Sequence, residues 1–127
     1  MLEVSFHVPD EPVPRSFSSF RGRVILVGFW TAGCTMCDQQ LAILSRLHDK
    51  YSSAGLVCVG LYDLGQTFTM AGVTILQGAI ESSQAAELPK ERPAVLVLDR
   101  EGRLVEKYSQ LVEDEDLEKL VQPLLGV

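Results

Sequence analysis

Two cysteines three positions apart, Cys34 and Cys37, follow closely on the apolar run Arg23 to Phe29 (RVILVGF) and open a segment with helical periodicity. No other feature of the chain narrows the possible folds as far. Such an apolar run reads as a strand covered on both faces, and a strand that turns directly into a helix is the unit from which layered α/β domains are built. Positions i and i+3 at a helix N-terminus share a face, so the two sulfurs are close enough to bond. Cys34 also falls near the positive end of the helix dipole, among unpaired amides, which favours the thiolate that attacks in thiol-disulfide exchange.

Other uses of the pair are less well supplied. A structural zinc site takes a second pair of ligands, and the remaining candidates, Cys58, His7 and His48, are scattered along the chain. Copper carriage by two thiolates and a distant His has the same weakness. The expectation is therefore a redox dithiol with no metal and no organic cofactor. Cys58 lies in the apolar run Leu56 to Leu61 and reads as a small buried hydrophobe. His48, on the apolar side of the first helix, reads as a core or boundary residue rather than a ligand.

A length of 127 residues, 46% of them hydrophobic and 22% charged, fits one globular domain spanning residues 1–127. The net charge of −6 argues against nucleic acid as a partner. No run approaches the length of a membrane span, and the first residues, MLEVSFHVPD, lack a basic region followed by an apolar one. The expected compartment is cytoplasmic if the chain is full length and extracytoplasmic if a leader has been trimmed. A monomer is expected. The acidic cluster Glu113, Asp114, Glu115, Asp116 and Glu118 reads as a solvated, well-capped start to the last helix.

Periodicity and turn residues predict the following order. A short edge strand within Glu3 to Val8 precedes an extended path through Pro9, Pro12 and Pro14, and Val24 to Phe29 forms an interior strand. Leu41, Leu44, Leu47, His48 and Tyr51 mark one side of a helix from about Cys34 to Ser53, which Gly55 ends. The strand through Cys58 then completes a parallel crossover unit. An extended piece at Val73 to Leu76 and a brief helix at about Ile80 to Leu88 come next. Ala94 to Leu98 and Arg103 to Tyr108 form a hairpin turning at Gly102, and an amphipathic helix covers Asp114 to Leu125.

This order resembles the thioredoxin fold over nearly the whole chain. The stretch Phe20-Arg21-Gly22-Arg23-Val24-Ile25-Leu26-Val27-Gly28-Phe29-Trp30 is similar to the lead-in of TlpA/ResA-like thiol-disulfide oxidoreductases, and Pro93 with Ala94 to Asp99 and Gly102 is similar to their second signature. The resemblance implies a thioredoxin-like α/β fold, with a central mixed β-sheet flanked by helices and the CxxC at the N-terminus of the first long helix. It implies a cis-proline, Pro93, before the C-terminal hairpin. Cys34 would be the nucleophile and Cys37 the resolving thiol. Trp30, Thr35, Met36, Arg92 and Pro93 would surround the substrate, with the Arg92–Pro93 backbone aligning it. The implied activity is protein disulfide reduction, with a protein disulfide as substrate and an upstream electron donor as partner. Thr35-Met36 between the cysteines, Gly28 where relatives carry an acid or polar residue, and Ala42 in place of a helix-kinking Pro depart from the pattern. Those departures keep open an alternative, a non-catalytic binding or redox-sensing module of a larger protein. Peroxide reduction shares the lead-in but normally uses a cysteine in a different Pro/Thr-bearing context.

Overall fold

The computed structural model describes residues 2–63, 65, 69–70, 72–81 and 88–127. Seven strands form one sheet in the order β2-β1-β5-β4-β3-β6-β7, where β1 is Ser5–His7, β2 Arg15–Ser16, β3 Val24–Phe29, β4 Leu56–Asp63, β5 Leu76–Ile80, β6 Ala94–Leu98 and β7 Leu104–Tyr108. Helix α1 spans Thr35–Tyr51 and α2 spans Asp114–Leu125. Strands β3, β4 and β5 run parallel, whereas β6 is antiparallel to β3 and β7 to β6, so the sheet is mixed.

The apolar run predicted as an interior strand is buried at every position of β3. Alternate residues serve opposite faces. Val24, Leu26 and Trp30 join the core beneath α1 and α2, and Ile25, Val27 and Phe29 join a second core on the other side. Both long helices pack into the first core. The second face is covered by residues including Val4 and Phe17, with Phe20 packed against them. Phe17 stands in a short 3-10 turn, Phe17–Phe20.

Several boundaries differ from the sequence reading. The first strand is not an edge, because the two-residue β2 pairs outside it. The extended piece expected at Val73 to Leu76 is displaced, since β5 begins only at Leu76, opposite Val59. The cause lies in α1: Ser45 Oγ accepts the Thr74 amide at 2.9 Å, so the segment before Leu76 spends that donor on a helix side chain instead of a ladder. Ile80, placed by the sequence reading at the start of a brief helix, is the last residue of β5, and 82–87 of that expected helix lie outside the described residues. The first helix is shorter than Cys34 to Ser53, because Cys34 is its N-cap and Ser52–Ala54 tightens into a 3-10 turn. The acidic start of α2 was expected to be well capped, yet its N-cap Glu113 makes no side-chain capping bond. Its neighbours reach across to α1 instead. Arg46 donates to both carboxylate oxygens of Asp114 at 3.0 and 3.2 Å, and Lys50 and the Tyr51 hydroxyl both donate to Glu118 Oε2.

Candidate active site

The dithiol is set by the strand-to-helix junction. Backbone pairing holds β3 against β4 through the Trp30 amide, which donates to the Leu61 carbonyl at 3.0 Å. The chain leaves the sheet there, turns at Gly33 with φ +78°, and enters α1 with Cys34 still extended at φ −97°, ψ 105°. Only a residue without a side chain adopts that positive φ cheaply. Cys34 and Cys37 form a disulfide with 5.2 Å between their Cα atoms. The Cys37 amide donates to Cys34 Sγ at 3.1 Å, so the outer sulfur takes the place that a Ser or Asp oxygen usually fills at a helix N-cap.

The two sulfurs are not equivalent. Cys37 is fully buried among the residues that α1 presses onto the sheet, whereas Cys34 is half-buried and packs at the edge of that core. Thr35 and Met36 between them are exposed, Met36 by 49%. Trp30 is 2% exposed, its ring edge-on to Tyr62 with centroids 5.4 Å apart. It shares the core that holds Cys37 and presents almost no surface for a substrate to touch.

The Arg92–Pro93 peptide bond is cis. Phe29 pairs with Ala94 across the antiparallel β3–β6 ladder, so Trp30 and Pro93 lie at the same end of the sheet and the dithiol loop rises beside the Arg92–Pro93 step. Arg92 does more than supply backbone. Its guanidinium donates to the carbonyls of Pro89 and Glu91 at 2.6 and 2.9 Å and to Asp63 Oδ1 at 3.2 Å, and it lies 5.4 Å from the centroid of the Phe29 ring.

Gly28, noted as a departure, is a packing requirement. A Cβ at that position would come within 2.6 Å of Leu44 Cδ1 and 3.1 Å of Leu41 Cδ2, so α1 fills the space that an acidic side chain would need. Cys58 is free and buried, in keeping with its apolar run, and burial, reinforced by the negative charge of Asp49, pushes its thiol pKa far up. His48 is half-buried and lines an open depression with Cys58 and Ile75, at the opposite end of β4 from the dithiol.

Sequence reasoning overlooked Gln40. This buried amide, 1% exposed, donates to the Val112 carbonyl at 3.1 Å and accepts the Val112 amide at 2.7 Å, tying the first turns of α1 to the segment before α2. A signal was present: a polar residue one turn beyond Cys37, on the stripe continued by Leu41, Leu44 and Leu47, needs a buried partner.

Sheet order and the paired cysteines at the head of α1 define a thioredoxin-like fold carrying a CxxC disulfide. No protein-family model matches the chain. Solved structures share the fold. The thioredoxin domain of a thiol-disulfide oxidoreductase from Bacteroides vulgatus superposes with a TM-score of 0.81 at 18% identity, covering 98% of this chain and 94% of that one. A secreted thiol-disulfide isomerase from Corynebacterium glutamicum gives 0.81 at 19% identity, covering 99% and 84%. A DsbF homologue from Corynebacterium diphtheriae gives 0.80 at 18% identity, covering 95% and 83%. In sequence, the chain is similar to the DipZ proteins of Mycobacterium bovis and Mycobacterium tuberculosis, 26% identical over 66 residues, which amount to 52% of this chain and only 10% of theirs.

Proposed function

We propose that the chain is a thiol-disulfide oxidoreductase that passes two electrons through Cys34 and Cys37. The observation that carries this reading is the pair itself: a disulfide at a helix N-terminus with one sulfur reachable and its partner sealed in the core. In the reducing direction the Cys34 thiolate attacks a substrate disulfide, forming a mixed disulfide and expelling one substrate thiolate. The Cys37 sulfur then attacks Cys34, expels the second substrate thiolate, and leaves the Cys34–Cys37 bond that the structure contains. An upstream dithiol donor restores the reduced pair.

Reduction as the net direction follows the tendency of the TlpA/ResA-like proteins that the sequence resembles, and a protein disulfide is the substrate class proposed. Exposed Thr35 and Met36 and the backbone at Arg92–Pro93 are the surfaces proposed to meet it, with Trp30 acting from beneath. The Corynebacterium glutamicum relative in fold is described as secreted, which favours an extracytoplasmic setting. No described helix is long and apolar enough to cross a membrane.

The test is reduction of insulin disulfides with dithiothreitol as electron source. Wild type is expected to accelerate insulin precipitation and Cys34→Ser to abolish the acceleration. Wild type that performs no better than Cys34→Ser would favour a binding or sensing module instead.

A further inference from the structure

Resting on the proposed exchange reaction, we infer that the Arg92 side chain is a positioning residue that sets how the loop ahead of β6 is presented beside the dithiol. Its guanidinium links three segments at this end of the sheet: the loop before β6, the last residue of β4 and the last residue of β3. One amino group holds the carbonyls of Pro89 and Glu91, closing the loop upon itself. The other reaches Asp63 at the last position of β4, and the carbon of the guanidinium sits over Phe29 at the last position of β3. Arg92 is 13% exposed in its side chain, whereas its carboxylate partner is 63% exposed. The ion pair by itself is thus a weak, screened contact. The two carbonyl bonds from a charged donor are the stronger part of the clamp.

The consequence is directional. The segment Pro89 to Pro93 is held by a side chain rather than by a strand partner, and the dithiol loop starts one residue beyond Phe29 on the neighbouring strand. A substrate that lays an extended chain along Arg92–Pro93 depends on that loop's height relative to Cys34. A small disulfide that meets only the sulfur does not. Arg92 therefore governs the binding of polypeptide substrates and leaves the intrinsic reactivity of the dithiol alone. Lysine supplies a single ammonium, which lacks the second planar nitrogen that lets Arg92 hold the two carbonyls and Asp63 together.

The experiment compares wild type, Arg92→Lys, Arg92→Ala and Asp63→Asn on two oxidised probes: fluorescein-labelled insulin under turnover with dithiothreitol, and the small aromatic disulfide dithiobis-nitrobenzoate with protein pre-reduced and freed of dithiothreitol. Arg92→Ala is expected to lower kcat/KM for insulin about tenfold, chiefly through KM, while the rate with dithiobis-nitrobenzoate stays within about twofold. Arg92→Lys should fall between, and Asp63→Asn should remain near wild type. Limited proteolysis provides a readout independent of activity: trypsin should cut after exposed Lys90 faster in Arg92→Ala, with Arg92→Lys intermediate. Equal losses on both probes, or unchanged cleavage after Lys90, would overturn the inference. Wild type inactive on both probes would instead sink the oxidoreductase reading, while cleavage after Lys90 would still report whether the clamp exists.

Discussion

At the scale of single residues, the site is a set of volumes as much as a set of reactive atoms. Gly28→Asp would place a carboxylate where Leu41 and Leu44 already touch the sheet, so overlap and an unpaired buried charge should together remove about 3–5 kcal/mol of stability, measured by urea unfolding. Cys58 tests the opposite condition. With its pKa pushed far up by burial, it should resist iodoacetamide in the native reduced protein at pH 8, and mass spectrometry should place the label on Cys34 first and on Cys58 only after unfolding. Label on native Cys58 would contradict its burial. Cys34 and Cys37 were legible in the sequence because their chemistry is local, two thiols one helical turn apart. The Gln40–Val112 and Arg92–Asp63 contacts were not, since those partners stand 72 and 29 positions apart and only the folded chain brings them together.

At the scale of elements, the strands that carry dense apolar runs were readable and those whose limits depend on neighbours were not. β3 and β6 match their expected ranges because continuous burial and their flanking turns define both ends. β5 does not, because Ser45 on α1 takes the Thr74 amide, an arrangement no local pattern encodes. Arg100 ties together segments at the end of the sheet remote from the dithiol. Arg100 donates to the carbonyls of Gly22, Ala54 and Leu125 at 2.8, 3.1 and 2.9 Å, joining the approach to β3, the end of the turn after α1 and the end of α2. Arg100→Ala should therefore lower stability by about 2 kcal/mol in urea unfolding. Arg103→Ala, which removes mainly an exposed pairing with Asp99, should lower it by less than about 1 kcal/mol. Comparable losses would show that the three carbonyl bonds carry no special weight. Gly55→Ala should resemble Arg100→Ala, since its Cβ would fall 2.7 Å from the Arg100 guanidinium and its φ is +108°.

At the scale of the whole molecule, the helical layer is assembled partly by charge. Asp114 is held below the ordinary carboxylate pKa by its hydrogen bonds from Arg46, and Glu118 by those from Lys50 and Tyr51. Carboxylates with pKa values depressed on folding add stability above their unfolded values of about 4 and lose it as pH falls through the folded ones. The urea midpoint should therefore drop between pH 5 and pH 2, and Arg46→Met should flatten part of that decline. A midpoint as acid-sensitive in Arg46→Met as in wild type would remove the α1–α2 pairing from the explanation. The fold class was legible at this scale because the order of strands and helices needed only their existence. The sidedness was not, because nothing in the order says that both long helices share one face while an arm containing Phe17 shields the other.

Cys34 Sγ accepts the Cys37 amide at 3.1 Å. A group that changes its bonding partner during a reaction is thereby wired into the fraying of the helix it terminates. Each passage between dithiol, mixed disulfide and closed pair must re-tie the opening turn, so redox state and local backbone order become one observable, visible in the protection of the Cys37 amide.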